Sequence, residues 1–233
     1  MNYTDFTVRY LRNIALPGIG AEGQRRISES SLLIIGCGAL GNSAAMYAAA
    51  SGIGRIIIAD FDTVDAGNLQ RQVAFTEADC GLQKAARLKA KMHALNSSIA
   101  VEAIGRRIGE EQLSELLEEV DFVLECTDSA ATKYMTSELC HRLGKPVCIG
   151  GVKEFTGMIY TQTPESPSYA ELFPESEDAE TMKAKGVFGP VAGITGTVQA
   201  AEALKYFAGA GELLAGKLLS IDTLSWQTAL FSF

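Results

Sequence analysis

Leu32-Leu33-Ile34-Ile35-Gly36-Cys37-Gly38-Ala39-Leu40-Gly41, followed by Ile56-Ile57-Ile58-Ala59-Asp60, is the stretch that decides the fold. An apolar run enters three glycines at G-x-G-x-x-G spacing, and a second apolar run closes on an acid. The order is strand, glycine turn, helix, strand, acid, which is one mononucleotide-binding half of a doubly wound sheet. In such a turn Gly36 permits the tight bend, Gly38 lets the backbone approach a phosphate or ribose, and Gly41 lets the helix pack close. The N–H groups at the helix start form an anion site. Asp60 can accept both ribose hydroxyls, or it can be a strand-end acid in solvent. Asp62 points the same way from an extended chain and either shares the nucleotide or is a loop acid.

Outward from this core, residues 1–30 read as a helical prelude carrying Arg9, Arg12, Arg25 and Arg26. Locally these arginines are only a basic helix face. The helix after the glycine turn is rich in small residues and ends at Gly52 and Gly54. Residues 61–82 have little periodicity, and a connection of that length in a compact domain tends to be functional. A helix is expected over about 83–95. Strands over 99–104, 121–126 and 146–150 alternate with helices over 110–119 and 130–143, so the sheet is mostly parallel here. After Gly150-Gly151 the pattern changes. A strand over 155–162 precedes a Pro/Ser/Glu/Asp-rich stretch, 164–186, expected to be mobile. A helix over about 190–208 and strands over 216–222 and 225–232 close the chain as an antiparallel extension. The fold class is α/β: a doubly wound, Rossmann-like sheet, mostly parallel, with that C-terminal extension.

The polar groups along this frame suit ATP phosphates and a metal better than a nicotinamide ring. Asn68, Gln70, Arg71 and Gln72 crowd one loop with amide and guanidinium donors, which are costly to bury without acceptors. An arginine fork matches phosphate oxygens, although a solvated loop has the same composition. Lys84 stands in the first turn of its helix, against the macrodipole. A bound anion would remove the conflict, and an exposed lysine would tolerate it. Asp128 follows Phe122-Val123-Leu124 at the sheet edge where ligands of open α/β sheets bind. It can ligate Mg²⁺, cap the following helix, or do both. His93 and His141 fall inside helices without metal-spaced partners. Trp226 is expected on a strand face.

The bulk numbers bound the function. The chain has 233 residues, 47% hydrophobic and 21% charged, which is ordinary globular composition. A net charge of −8 argues against a nucleic-acid surface. No apolar run is long enough for a membrane span, and no secretory signal pattern is present. Five cysteines in unlike contexts and no CxxC argue against a disulfide framework and a structural zinc, and for a cytoplasmic setting.

Taken in order, these pieces resemble the ThiF/MoeB/HesA adenylyltransferases, bacterial relatives of ubiquitin-activating enzymes. The matching stretches are Arg9-Tyr10-Leu11-Arg12, the Gly36–Gly41 turn, Asp60-Phe61-Asp62-Thr63-Val64, Asn68-Leu69-Gln70-Arg71-Gln72, Lys84, Cys126-Thr127-Asp128 and Gly186-Val187-Phe188-Gly189-Pro190. The resemblance covers nearly the whole chain. It implies one adenylation domain over 1–233, with an arm (1–30), a nucleotide-binding core (31–150) and a carrier-binding part (151–233). The implied reaction binds ATP and Mg²⁺, and a ubiquitin-like sulfur carrier's C-terminal Gly-Gly carboxylate attacks the α-phosphate. Pyrophosphate leaves and an acyl-adenylate remains.

In that scheme Asp60 holds the ribose and Asp128 the metal, while Asn68, Arg71 and Lys84 hold the phosphates. Asp62 and Gln72 complete the nucleotide set with the three glycines. Arg12 reaches the neighbouring subunit of a homodimer, and 164–186 crosses over the carrier tail. Two departures stand out. Relatives often carry two zinc-binding CxxC pairs, one near Tyr169-Ala170-Glu171 and one past Phe233; neither is present, and no zinc is expected. The transfer cysteine that some relatives carry before Gly-Val-x-Gly-Pro is absent from Thr181-Met182-Lys183-Ala184-Lys185. A thioether cannot replace a thiolate nucleophile. The competing readings are a nicotinamide-dependent oxidoreductase, a non-catalytic partner subunit, and an adenylating enzyme for a small molecule or peptide.

Overall fold

The structure, a computed structural model, describes residues 6–174 and 186–233. Two helices, α1 (Phe6–Ile14) and α2 (Gly20–Glu29), precede β1 (Ser31–Ile35), α3 (Ala39–Ser51) and β2 (Arg55–Ala59). Next come α4 (Lys84–Leu95), β3 (Ala100–Ile104), α5 (Glu110–Glu118), β4 (Phe122–Glu125), α6 (Ala130–Arg142) and β5 (Val147–Lys153). The chain ends with β6 (Thr156–Gln162), α7 (Tyr169–Leu172), α8 (Gly189–Ala208), β7 (Lys217–Asp222) and β8 (Gln227–Ser232).

One eight-stranded sheet of order β3-β2-β1-β4-β5-β6-β7-β8 results. Its first five strands are parallel and the remaining pairings antiparallel. The strand order reverses between β1 and β4, and ligands of doubly wound sheets bind at that switch point.

Alternation along the strands sorts the core onto two faces. Leu32, Ile34, Ile56, Ile58, Phe122 and Leu124 face the layer of α2, α3, α4 and α8. Leu33, Ile35, Ile57, Val123, Val147 and Ile149 face α5 and α6. Small residues let α3 and α8 lie close: a Cβ on Gly196 of α8 would collide with the Leu40 carbonyl of α3.

Three differences from the sequence reading have physical causes. Trp226 is not on a strand face. It sits in the β7–β8 turn with φ 57° and is 75% exposed. The register pairs Asp222 with Gln227, and Asp222 holds the turn by accepting from the Leu224 N–H and the Ser225 hydroxyl.

The 164–186 stretch is not without structure throughout. Ser168 and Glu171 form a capping box that starts α7, and Tyr169 packs on Tyr134 and Phe173. Residues 175–185, including Thr181 through Lys185, lie outside the described residues. The 61–82 connection likewise holds two 3-10 turns, Ala66–Asn68 and Glu77–Asp79, each started by a capping box. Buried Asp79 ties the second turn to α4 through Arg87 and Lys91.

Candidate nucleotide site

The glycine turn joins β1 to the start of α3. Gly36 has φ 95°, in the left-handed region. A Cβ on Gly41 would lie 1.8 Å from the Gly36 carbonyl oxygen, so the helix start and the turn are in direct backbone contact. Above Gly38 the nearest neighbour of such a Cβ would be Gln72 Nε2 at 3.8 Å, which leaves the backbone there open to a ligand. The first bond of α3 runs from the Asn42 N–H to the Gly38 carbonyl. Earlier N–H groups of a first turn have no intrahelical acceptor, and they carry the positive end of the helix dipole.

Asp60 is partly buried and braces this turn. Its Oδ2 accepts from the Cys37 N–H (2.6 Å) and its Oδ1 from the Asp62 N–H (2.8 Å). Burial pushes the Asp60 pKa up, opposed by those N–H bonds and by the charge of Lys84. Each carboxylate oxygen keeps a further lone pair for a hydroxyl.

Lys84 is buried, contrary to the exposed-lysine alternative. Its Nζ donates to Asp62 Oδ2 at 3.0 Å, and its N–H to the Asp62 carbonyl at 2.9 Å. Asp62 therefore holds Lys84 beneath the turn.

Asn68, Arg71 and Gln72 share the loop beside it. Asn68 Oδ1 accepts from the Asp65 N–H, and Arg71 Nη1 donates to the Gly67 carbonyl at 2.9 Å. Gln72 is buried beside Gly38, and its Oε1 has no hydrogen-bond partner. An orphaned amide oxygen is expensive to bury, and a ligand at the turn would be its partner. The start of α8 closes the loop from the far side, where a Cβ on Gly189 would meet the Gln70 carbonyl oxygen at 2.6 Å.

The end of β4 forms the opposite wall. The Cys126 carbonyl and the Thr127 methyl both lie 3.1 Å from where a Gly36 Cβ would be. Asp128 is exposed beyond them. The α6 cap belongs to Ser129, whose hydroxyl accepts from the Thr132 N–H. The capping alternative for Asp128 is thereby corrected, and no hydrogen bond or ion pair to a described residue engages its carboxylate.

Contacts thus link Gly36, Gly38, Gly41, Asp60, Asp62, Gln72 and Lys84 around the glycine turn, with Asn68 and Arg71 in the adjoining loop and Asp128 just past the β4 wall. Arg12 is not among them. Its helix is docked at the opposite sheet edge, where Tyr10 accepts from Asn96, Asn96 donates to the Ala49 carbonyl, and Arg9 donates to the Leu95 carbonyl. His93 and His141 are exposed on helices.

Three buried groups escaped the sequence reading. Asn42 links the turn to the loop, donating to the Cys37 carbonyl and accepting from the Ala74 N–H. Gln199 donates to the Glu125 and Cys148 carbonyls. Lys133 pairs with Glu125. The signal was an isolated polar residue in a run of small or apolar ones.

Mg²⁺ needs few protein ligands, commonly one or two carboxylates beside phosphate oxygens and waters. Asp128 fits that demand. No group of three or more His, Cys, Asp or Glu side chains able to hold a metal occurs among the described residues.

A doubly wound sheet with a glycine turn, a strand-end aspartate and phosphate-matched cations at its switch point defines a nucleotide-binding α/β protein. The ThiF family model matches residues 10–232, and the chain belongs to that family. It is 38% identical over 230 residues to the sulfur carrier protein ThiS adenylyltransferase of Escherichia coli, covering 97% of this chain and 91% of that protein. It is 35% identical over 225 residues to a Thermus thermophilus sulfur carrier protein adenylyltransferase, covering 93% and 83%. A crystal structure of E. coli MccB with ATP superposes with a TM-score of 0.85 at 25% identity, covering 96% of this chain and 71% of that one.

Proposed function

We propose that this chain adenylates the C-terminal Gly-Gly carboxylate of a ubiquitin-like sulfur carrier with Mg·ATP and releases pyrophosphate. The observation that carries the reading is the set of polar groups about the glycine turn. An uncommitted carboxylate, Asp128, follows the β4 end that touches Gly36, while Lys84 and the orphaned Gln72 amide lie on the β2 side and loop side of the same turn. Near-full-length relatives are named as sulfur carrier protein adenylyltransferases, and MccB, a structural neighbour, has been crystallised with ATP.

In this reading Asp60 takes the ribose and Asp128 anchors Mg²⁺, which when bound neutralises phosphate charge. Asn68, Arg71, Gln72 and Lys84 bind phosphates, aided by the N–H groups of the α3 start. The protein positions groups and neutralises charge, and takes no covalent part. The nicotinamide alternative leaves Arg71, Lys84 and Asp128 without roles, and family membership removes it.

The chain acts as a homodimer in the cytoplasm. Arg12 lies at the wrong sheet edge for its own crevice, and Phe6, Val8 and Leu11 are exposed on the same helix, so Arg12 reaches the neighbouring subunit's site. The part of the chain from residue 151 onward takes the carrier. No helix among the described residues is long and apolar enough to cross a membrane.

The test is mass spectrometry of candidate Gly-Gly carriers incubated with the chain and ATP. A carrier that gains AMP supports the reading. If only a short peptide or small acid is adenylated, the carrier assignment falls and the adenylation chemistry stands.

A further inference from the structure

The Asp128 loop has a clamped backbone and an unrestrained side chain. Glu125 and Lys133 do the clamping from below. Glu125 Oε1 accepts from the Thr127 N–H at 3.0 Å and from the Thr127 hydroxyl. Glu125 Oε2 accepts from Lys133 Nζ, which also donates to the Thr127 carbonyl (2.7 Å) and the Gly150 carbonyl (2.7 Å). All three ammonium protons are thereby used. Thr127 is held at its N–H, hydroxyl and carbonyl at once, and its Oγ1 accepts from the Ser129 N–H at 3.3 Å. Both neighbours of Asp128 are fixed.

Glu125 is 0% exposed and Lys133 8%. A buried ion pair is weak evidence for stability, because apolar residues of similar volume often serve as well. The directions of these bonds answer a different need. Lys133 spans from α6 to the end of β4 and the middle of β5, which places the residue before Asp128 relative to the sheet rim.

We propose that Lys133, paired with Glu125, is a positioning residue for metal binding: it sets where the Asp128 carboxylate stands above the crevice. The inference rests on the reading of Asp128 as the Mg²⁺ anchor. Outer groups that orient a metal-binding carboxylate typically change metal affinity by about 10- to 100-fold when removed.

The test uses the full chain as wild type, Lys133→Met, Lys133→Arg and the double variant Glu125→Gln/Lys133→Met. The double variant removes both charges, keeps an acceptor for the Thr127 N–H, and carries the test should Lys133→Met fail to fold. The readout is the rise in unfolding temperature given by ATP as Mg²⁺ is titrated, beside the rise given by ATP in EDTA, with Mn²⁺ binding followed by electron paramagnetic resonance.

Lys133→Met and the double variant should need about 10-fold or more Mg²⁺ for half the effect, with the EDTA response unchanged, and Lys133→Arg should recover most of the difference. A wild-type Mg²⁺ requirement in either Met-bearing variant overturns the positioning role while leaving the Mg·ATP reading intact. An equal loss with and without Mg²⁺ also overturns it, because the defect is then in the fold. A wild-type chain whose response ignores Mg²⁺ overturns the Mg·ATP reading and this inference with it.

Discussion

The rims of β2 and β4 flank the glycine turn, and each ends near an aspartate held in an opposite way. Asp60 is bound through its side chain, both oxygens accepting backbone N–H groups. Asp128 is bound through its neighbours, and its side chain is left over. The first arrangement spends a carboxylate on shaping the turn and keeps only spare lone pairs for a ligand. The second keeps the whole carboxylate for a ligand and spends buried groups on holding the loop. Removing Asp60 should therefore damage fold and binding together. Removing Asp128 should damage binding alone.

The largest effect is expected from Asp128→Ala. Carrier-dependent ATP–pyrophosphate exchange should fall on the order of 10²- to 10³-fold, the scale for loss of one group that stabilises transition-state charge. The unfolding temperature of the free chain should barely move, because an exposed substitution is usually within about 0.5 kcal/mol. A parallel loss of stability would erase the contrast between the rims.

Gly41→Ala attacks what the rims share. The added Cβ would collide with the Gly36 carbonyl and lie 3.5 Å from the Cys126 side chain, so turn and β4 rim must part. Destabilisation of about 3 kcal/mol is expected from denaturant titration, with nucleotide response lost in whatever remains folded. A stable, ATP-responsive variant would show that the close contact is not required.

Asp60→Asn should have an intermediate effect, about tenfold in ATP affinity by calorimetry, with a stability loss of about 1–2 kcal/mol as one braced N–H loses its acceptor. The pH dependence sharpens it. Burial raises the Asp60 pKa, and a protonated carboxyl accepts ribose hydroxyls poorly. ATP affinity should fall as pH drops through the raised value, from a point above the ordinary aspartate value of about 3.9. For stability the sign is reversed. An acid with a raised folded-state pKa contributes below its unfolded-state pKa, and that contribution is lost as pH rises through the folded one. Affinity that tracks pH identically in wild type and Asp60→Asn would assign the titration elsewhere.

The two rims also differ in how much the sequence revealed. Apolar runs and glycine spacing are local signals, so β1, α3 and β2 stand where the pattern put them, and Asp60 could be placed on its rim from sequence alone. Asp128 was found by its place after an apolar strand. Its support was hidden, because Glu125, Lys133 and Gln199 come from three elements and meet only through tertiary packing. The burial of Lys84 was hidden for the same reason: it depends on Asp62, 22 positions away. Trp226 misled because aromatic character favours strands, whereas the side chain of Asp222 fixed the turn.

The smallest effect concerns the thiols at the same rims. Cys37 follows Gly36 and Cys126 follows Glu125, so either could be imagined as the transfer nucleophile missing from 181–185. Both are buried, and desolvation pushes both thiols well above the ordinary range. Burial does the same to Cys148, and holds Cys140 up at about 12. A buried, protonated thiol is inert toward an acyl-adenylate. Cys80 alone among the five is exposed. Iodoacetamide should therefore attach one alkyl group to the native chain, at Cys80, and leave ATP–pyrophosphate exchange within about twofold of the untreated chain, the small scale expected of a surface change. Adenylation that survives alkylation of Cys80 does not depend on the one exposed thiol of this chain. Alkylation at Cys37 or Cys126 under native conditions would mean that a rim opens, and the rigid picture of both aspartates would have to be given up.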